Sequence, residues 1–199
     1  MQWPDIILLN GSSSAGKSTI AKALQNELLH PYLHFGFDDL ILMMPNRYWQ
    51  DSATPRQDQR NPWKDQGVHM IEKKIDDTIS TEAKFGAVFR NVIQSMAPVV
   101  RTIVTGGTSV VFDHVIHDQL MLDSINEAFV DLNVLKVGVY CSLAELQLRE
   151  KLRGDRVIGR ARGLIDIVHK NMDYDITVDT SLNSIDECVN KIKDYIKNS

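Results

Sequence analysis

The sequence predicts a three-layer α/β/α fold, in which helices cover both faces of a parallel five-stranded sheet. Short apolar runs alternate along the 199 residues with longer segments whose apolar residues recur at the helical period. This alternation is typical of βαβ units, because parallel neighbouring strands need a crossover helix that then covers the sheet. With 43% hydrophobic residues the chain has enough apolar surface for a full core, so we expect one domain over residues 1–199.

Five apolar runs are the expected strands. They are rich in Val, Ile and Leu, and Gly, Asn or Asp stands at or beside most of their ends, where chains commonly turn. The runs cover residues 6–10, 33–36, 109–113, 134–140 and 176–179.

Helices are predicted between these strands. Residues 18–29 and 85–103 each carry apolar residues on one helical face. Pro98 is expected to kink the second helix or end it early, since proline removes a backbone donor. Two more helices should begin at capping boxes, in which a serine precedes a glutamate by three residues. These boxes are Ser142 with Glu145, and Ser184 with Glu187.

Charge and cysteine content argue against several classes of protein. The chain has 22 basic and 26 acidic residues, a net charge of -4, which disfavours a nucleic-acid-binding surface. Cys141 and Cys188 lie far apart without zinc-ligand spacing, so we expect no structural metal, and Cys141 is expected to pack as a small hydrophobe. The start of the chain does not resemble a secretion signal, and no apolar run reaches the ~18 residues of a membrane span. We therefore expect a cytoplasmic location and no membrane partner.

A glycine- and serine-rich stretch directly follows the first strand and precedes the first helix. Its pattern is G-x-x-x-x-G-K-[ST], in which backbone amides and a helix N-terminus surround phosphate oxygens. In this pattern Lys17 is expected to bridge the β- and γ-phosphates of ATP, and the Ser18 hydroxyl is expected to bind Mg²⁺. The expected ATP-binding residues of the loop are Gly11, Ser12, Ser13, Ser14, Ala15, Gly16, Lys17, Ser18 and Thr19.

The rest of the chain favours a small-molecule kinase over other phosphate-loop proteins. A GTPase would need Asn-Lys-x-Asp, whereas Asn190-Lys191 is followed by Ile192-Lys193. A motor or helicase ATPase is usually larger and carries further modules. A small-molecule kinase needs a carboxylate near the acceptor hydroxyl, a second near Mg²⁺, and mobile positive charge for the transferred phosphoryl group.

Three aspartates are candidates for these carboxylates, because each follows a strand and ligands bind at the carboxyl ends of strands in open sheets. Asp38 is the candidate beside the acceptor hydroxyl, and Asp113 is the candidate near Mg²⁺. The alternative for both is a cap or turn residue, and this is the preferred interpretation of Asp39.

A cluster of arginines supplies the positive charge. We expect an arginine-rich lid over residues 153–163 that closes over phosphates, with glycines as hinges. A solvated basic face is the alternative. The arginines are Arg149, Arg153, Arg156, Arg160 and Arg162, and the glycines are Gly154, Gly159 and Gly163. Among the arginines, Arg149 is expected at ATP.

Together these motifs resemble the chloramphenicol phosphotransferase family of small phosphate-loop kinases, which look like shikimate and adenylate kinases in fold. The resemblance covers most of the chain and is most specific in Phe35-Gly36-Phe37-Asp38 and Arg153-Gly154-Asp155-Arg156-Val157. It implies ATP as donor, Asp38 as general base, and Arg153 and Arg156 as lid arginines. A chloramphenicol-like antibiotic or a related compound is the implied acceptor. Other matching segments are the phosphate loop, Val111-Phe112-Asp113, Val168-His169, Tyr174-Asp175 and Val178-Asp179-Thr180.

The acceptor side departs from the family pattern. Residues 45–67 are predicted to form an irregular substrate-side insertion, because they hold several prolines and show no period. Tyr48, Trp49 and Trp63 within it would either stack on the acceptor or form a small separate core.

Several alternatives stay open at this stage. The acceptor could instead be a nucleotide-sugar or an intermediary metabolite, or the chain could be an ATP-binding switch without transfer activity. His169 is expected to be a hydrogen-bonded structural residue rather than a catalyst, as most lone histidines are. The sequence does not decide between a monomer and a homo-oligomer.

Overall fold

Five parallel strands form the main sheet, in the order β2-β6-β1-β7-β8, and all five were predicted from the sequence. The computed structural model describes residues 3–50, 65–75, 78–154 and 157–199, with only the backbone at 49 and 50. The five strands are β1 (Ile6–Asn10), β2 (Tyr32–Gly36), β6 (Ser109–His114), β7 (Val134–Tyr140) and β8 (Ile176–Asp179).

Helices cover both faces of this sheet, which confirms the three-layer α/β/α class. Six of the seven described helices follow a strand in the chain, as βαβ units require. The helices are α1 (Lys17–Glu27), α2 (Phe37–Leu42), α3 (Ala87–Thr105), α4 (Gln119–Ala128), α5 (Leu143–Arg153), α6 (Arg160–Leu164) and α7 (Ile185–Asn198).

The central strand β1 divides the core into two clusters. Its side chains alternate between the faces of the sheet, so Ile7 and Leu9 pack with apolar residues of α1 and α7. Ile6 and Leu8 pack with apolar residues of α3 and α4 on the opposite face. All five residues of β1 are buried, which explains why the strand is a continuous apolar run rather than an alternating one.

Pro98 neither ends nor shortens α3, so the expectation of an early end was wrong. The helix continues to Thr105, because Met96, Ala97 and Val100 are buried on both sides of the proline. Proline leaves the carbonyl one turn earlier without its helical donor. In this structure the Ser124 hydroxyl of α4 donates to that carbonyl, on Gln94, at 3.2 Å.

Both predicted capping serines begin helices. The box at α7 is complete, because Ser184 and Glu187 each accept a hydrogen bond from the other's backbone N–H. At α5 only half of the box forms. Ser142 accepts from the backbone of Glu145, while the Glu145 carboxylate instead accepts from Arg149 at 2.8 Å.

A second sheet was missed by the sequence analysis. Strand β3 (Trp49–Gln50) pairs with β4 (Val68–Ile75), and β4 pairs antiparallel with β5 (Thr78–Phe85). Of the predicted insertion 45–67, residues 46–48 form a 3₁₀ turn and 49–50 form β3, so this part is more regular than expected. Residues 51–64, which include Trp63, lie outside the described part of the chain.

The hairpin formed by β4 and β5 packs against the segment that carries the predicted lid. The backbone N–H of Thr81 on β5 donates to the Gly159 carbonyl at 2.8 Å, and its hydroxyl donates to the Ile158 carbonyl at 2.6 Å. Gly159 and Gly163 allow this approach, since a Cβ on either would lie 2.6 Å or 2.3 Å from a carbonyl oxygen of β5.

Among the helices that the structure describes, none combines the length and apolar character needed to cross a membrane.

The contact between β5 and α6 predicts a specific cost for Gly159→Ala. Gly159 and Gly107 both have positive φ, at 84° and 95°, but nothing lies within 4 Å of a Cβ at Gly107. Alanine at either position should lower the free energy of unfolding by about 1–2 kcal/mol through backbone strain. Gly159→Ala should lower it by a further ~1–3 kcal/mol, because its Cβ would overpack against Ile79.

Urea unfolding measures the two losses, and hydrogen exchange at the Thr81 amide shows whether the hairpin has separated from α6. Equal losses in the two variants, with unchanged exchange at Thr81, would contradict the assigned contact.

Candidate active site

The backbone of the loop between β1 and α1 requires glycine at two positions. A Cβ on Gly11 would lie 2.3 Å from the Val139 carbonyl oxygen of β7, so only glycine fits there. Gly16 has φ +90° and is the N-cap of α1. The loop therefore wraps tightly over the carboxyl ends of β1 and β7, and the N-terminus of α1 follows it directly.

Two serine hydroxyls in the loop are buried without a partner. The side-chain oxygens of Ser12 and Ser14 make no hydrogen bond with any described residue. Ser14 also has φ 65°, which is uncommon for a residue other than glycine. Buried polar atoms without a partner are costly in a protein interior, so they fit a loop whose hydrogen-bonding partner is a ligand such as a phosphate group.

Lys17, Ser18 and Asp113 meet at one point beside the loop. The Lys17 ammonium donates to the Ser12 carbonyl at 2.9 Å and lies 3.7 Å from the Asp113 carboxylate. The Ser18 hydroxyl donates to the other oxygen of that carboxylate at 2.5 Å. The strand register explains the meeting, because Asp113 on β6 pairs with Leu9 on β1, at the end of the strand that leads into the loop.

The Asp113 carboxylate is ionised in spite of its burial. Burial by itself would raise the pKa of Asp113, but Lys17, His34 and Ser18 outweigh burial and hold this pKa below its usual range. Nε2 of His34 lies 3.6 Å from the carboxylate, which is too far for a hydrogen bond. The site therefore contains a buried negative charge next to a buried ammonium.

Ser18 and Asp113 form a donor set that suits Mg²⁺. A hydroxyl and a carboxylate oxygen are hard ligands, and Mg²⁺ keeps most of its positions for water and phosphate oxygens. Within the described ranges, no group of three or more His, Cys, Asp or Glu side chains is placed to bind a metal. Ser18 and Asp113 would therefore be its protein ligands, as predicted from the sequence, and the prediction of Mg²⁺ remains a prediction.

The structure places Asp38 on the neighbouring strand end. Gly36, the last residue of β2, pairs with Asp113 of β6, so Asp38 follows at the same edge of the sheet. Asp38 is half-buried in the first turn of α2. Asp39 accepts a hydrogen bond from the Gly36 backbone at 2.6 Å, which is the capping role predicted for it.

Arg149 on α5 lies against the phosphate loop through Thr180. Its two terminal nitrogens donate to the Thr180 hydroxyl at 3.0 Å and to the Thr180 carbonyl at 2.8 Å. The Thr180 hydroxyl in turn donates to the carbonyl of Ala15 in the loop at 2.9 Å. Thr180 was not singled out as a functional residue in the sequence analysis, although it belongs to a segment that carries the family resemblance.

The other arginines of the cluster lie in different surroundings. Arg153 is exposed at the end of α5, and Arg162 forms an ion pair at 2.7 Å with Asp166, which itself is exposed. Arg162 therefore fits the solvated-face alternative. Arg160 begins α6, and Arg156 lies outside the described residues.

A buried glutamate that the sequence analysis missed fixes the segment after α5. The Glu150 carboxylate accepts from the backbone N–H groups of Gly159 at 2.7 Å and Ala161 at 3.0 Å. Glu150 is 2% exposed, so these hydrogen bonds are shielded from water. They connect both ends of the segment 150–161 and position α6 beside α5.

A polar network lies behind the loop, next to Asn10. The Asn10 amide donates to the hydroxyl of Tyr174, which is bonded to Nδ1 of His169 at 2.7 Å. The prediction that His169 is hydrogen-bonded is therefore confirmed, whereas Asn10 and Tyr174 gave no recognisable signal as site residues. Cys141, at the end of β7, packs partly buried against the core, and burial raises the pKa of its thiol.

Comparison with known proteins places the whole chain in one family. The chloramphenicol phosphotransferase-like protein family matches residues 4–197. A predicted O-phosphotransferase of Mycobacterium tuberculosis, found in two strains, is 28% identical over 198 residues, which covers 94% of this chain and 80% of the relative.

Two solved kinases share this fold. The APS kinase of Mycobacterium tuberculosis in complex with AMPPNP and APS has a TM-score of 0.65 at 13% identity and covers 99% of both chains. A gluconokinase from Sinorhizobium meliloti has a TM-score of 0.55 at 14% identity, over 100% of this chain and 94% of that one. At these low identities the structural similarity shows the fold alone. The family match and the relative in Mycobacterium tuberculosis support phosphotransferase activity. The chain belongs to the chloramphenicol phosphotransferase-like family and is a nucleotide-using phosphotransferase.

Proposed function

We propose that this protein transfers the γ-phosphoryl group of ATP, with Mg²⁺, to a hydroxyl of a small neutral molecule such as chloramphenicol or a related compound. The observation that carries the proposal is the meeting of Lys17, Ser18 and Asp113 at the phosphate loop, with Asp38 on the next strand end. A donor site and an acceptor carboxylate at one edge of a sheet are the two halves of a kinase site.

The loop residues bind and orient the nucleotide. The unpaired hydroxyls of Ser12 and Ser14 and the amides at the start of α1 would donate to phosphate oxygens. Lys17 is already turned into the loop by its bond to the Ser12 carbonyl, so its ammonium needs little rearrangement to approach the β- and γ-phosphates. Mg²⁺, when bound by Ser18 and Asp113, would neutralise charge on the phosphates.

Asp38 orients the acceptor hydroxyl. Phosphoryl transfer is largely dissociative, so the hydroxyl proton leaves late and a weak base is sufficient. The Asp38 carboxylate would accept the hydrogen bond of the acceptor hydroxyl, align its oxygen with the phosphoryl group, and take the proton at the end of the transfer.

Residues next to Asp113 favour an uncharged, partly aromatic acceptor. His114 makes an edge contact with Phe37 at 5.1 Å, and His117 stacks on Phe85 at 4.8 Å. Burial lowers the pKa of His114 to about 3, and burial and the charge of Arg160 lower that of His117 to about 4. Both imidazoles are therefore neutral at physiological pH. His114 is buried, so the aromatic surface offered to an acceptor would come from the half-buried His117 and Phe85.

Arg153 and Arg156 are proposed to close over the transferred phosphoryl group. The hydrogen bonds of Glu150 and Thr81 would fix the far end of the proposed lid at Gly159. Gly154 has φ 68° and open space around a Cβ, which suits a hinge.

The decisive experiment is transfer of label from γ-labelled ATP and Mg²⁺ to a panel of hydroxyl compounds. The panel contains chloramphenicol and its analogues, aminoglycosides, macrolides, nucleotide-sugars and common metabolite alcohols. Label in chloramphenicol or an analogue is the expected result, and Lys17→Ala should reduce ATP affinity and turnover by at least about 10²-fold.

Other outcomes would change the proposal in defined ways. Label in a nucleotide-sugar or metabolite would support phosphoryl transfer to a hydroxyl but reject a chloramphenicol-like acceptor. Release of free phosphate alone, with a partner captured only in the presence of nucleotide, would favour an ATP-binding switch.

Asp38→Asn should lower kcat for the acceptor by about 10²–10⁴-fold, the usual range for a lost general base. ATP affinity should be unchanged, because Asp38 lies in the first turn of α2, outside the phosphate loop. Asp39→Asn is the matched control, since it changes the neighbouring carboxylate that caps α2 and should affect stability more than turnover. Near-normal kcat in Asp38→Asn would remove Asp38 from the mechanism.

Arg153→Ala should lower kcat by about 10²-fold, as expected for a lost charge at the transferred phosphoryl group. Lys151→Ala, which removes an exposed positive charge from the same helix, should leave kcat unchanged. Similar kcat values in the two variants, measured with saturating ATP and acceptor, would assign Arg153 to the solvated basic face.

A further inference from the structure

A directed chain of hydrogen bonds runs from the residue before the phosphate loop to an imidazole. The side-chain oxygen of Asn10 accepts from the backbone N–H of Ile116 at 2.9 Å. Its nitrogen donates to the Val168 carbonyl and to the Tyr174 hydroxyl, both at 2.7 Å. These three partners fix the orientation of the amide, because a flipped amide would place its NH₂ group against a donor and its oxygen against a carbonyl oxygen.

The direction of the chain fixes the tautomer of His169. The Tyr174 oxygen accepts from Asn10, so its single proton is available for Nδ1 of His169, 2.7 Å away. Among the described residues that proton has no other acceptor, so we assign Nδ1 as the unprotonated nitrogen. A neutral imidazole carries one ring proton, which therefore lies on Nε2.

Aromatic contacts hold the ring in place from two sides. Tyr140, at the end of β7, stacks on His169 with ring centroids 3.9 Å apart and an interplanar angle of 13°. Tyr174 contacts the ring edge-on at an interplanar angle of 73°. Nε2 forms no hydrogen bond within the described part of the chain, and it is not among the buried atoms without a partner. The ring is half-buried, and the N–H at Nε2 is oriented and has no partner among the described residues.

The imidazole lies close to the donor site. Asn10 directly precedes Gly11 of the loop, and Val168, which accepts from Asn10, directly precedes His169. Burial first, and then the charge of Lys17, lower the pKa of His169 to about 4. His169 therefore lies within electrostatic reach of Lys17 and remains neutral at physiological pH.

We propose that His169 donates its Nε2–H to an oxygen of the phosphoryl group during transfer, with Asn10 and Tyr174 as positioning residues. This inference rests on the proposed function. The proton stays on Nε2 throughout, so no bond to His169 forms or breaks. A base role is excluded because Nε2 has no free lone pair in this tautomer, and a purely structural role leaves the free, oriented N–H unused.

Nitrogen NMR of histidine side chains tests the geometry without any acceptor. In ¹⁵N-labelled protein, His169 should be the Nε2–H tautomer, and Tyr174→Phe should introduce the Nδ1–H form. Addition of Mg²⁺, ADP and aluminium fluoride, which imitate the phosphoryl group in transfer, should shift the Nε2–H resonance. A predominant Nδ1–H tautomer in the wild-type protein would contradict the assigned direction of the hydrogen-bond chain. An unshifted Nε2–H resonance would contradict the contact with the phosphoryl group.

Kinetics tests the consequence. His169→Phe keeps an aromatic ring against Tyr140 and removes the donor, so kcat should fall by about 10²-fold with little change in ATP affinity. His169→Gln keeps an N–H donor and should retain more activity than His169→Phe. Equal loss in the two variants, or an unchanged kcat in His169→Phe, would contradict the donor role.

His30→Phe is the matched control, because His30 also stacks on an aromatic ring, that of Trp3, but bonds to Ser109 at the opposite end of the sheet. This variant should leave kcat unchanged. A failure of the proposed function can be distinguished from a failure of this inference. If the proposed function is wrong, the wild-type protein labels no acceptor, but the NMR response to the phosphoryl mimic still shows whether His169 makes the contact.

Discussion

The buried ion pair between Asp113 and Lys17 is the interaction on which the site depends. Both side chains are removed from water, at 7% relative exposure, so neither charge is favourable without the other. Asp113 also orients Ser18, and the parallel pairing of β1 with β6 places it there. The pairing of these two strands thus determines where a charge can be buried, and the charge determines the direction of Lys17 and Ser18 beside the loop.

A second constraint fixes the start of α6. The hairpin of β4 and β5 is bonded to Gly159 through Thr81, and Glu150 on α5 bonds the same residue from the other side. Gly159 is therefore part of the packed structure. Because β4 of the hairpin also pairs with β3, the smaller sheet and α6 are connected through Gly159.

Sequence patterns predicted the elements whose local signals agree with their burial in the fold. The strands buried on both faces appeared as apolar runs, and the loop glycines and Lys17 followed from a spaced motif. The hairpin was missed because β4 and β5 are mostly exposed or half-buried and carry charges, so neither shows a clean alternation. Asn10 was missed because its partners are more than 100 residues away in the sequence. Glu150 was missed because its partners are backbone N–H groups, which any residue carries. The expected early end at Pro98 did not occur, because the Ser124 hydroxyl bonds to the freed carbonyl of Gln94. Ser124 belongs to another helix, so the sequence around Pro98 does not show it.

A neutral hydrogen-bond donor suits the position of His169 better than another cation would. In the proposed reaction Lys17 and the lid arginines would supply positive charge to the phosphates, and a further cation near Lys17 would raise the cost of the nucleotide-free state. Protonation of His169 would also place a proton on Nδ1, which the inferred hydrogen bond from the Tyr174 hydroxyl needs as an acceptor. The ring is therefore kept neutral by its hydrogen bond as well as by burial. It can stabilise charge that develops in the transition state while adding no repulsion before the nucleotide binds.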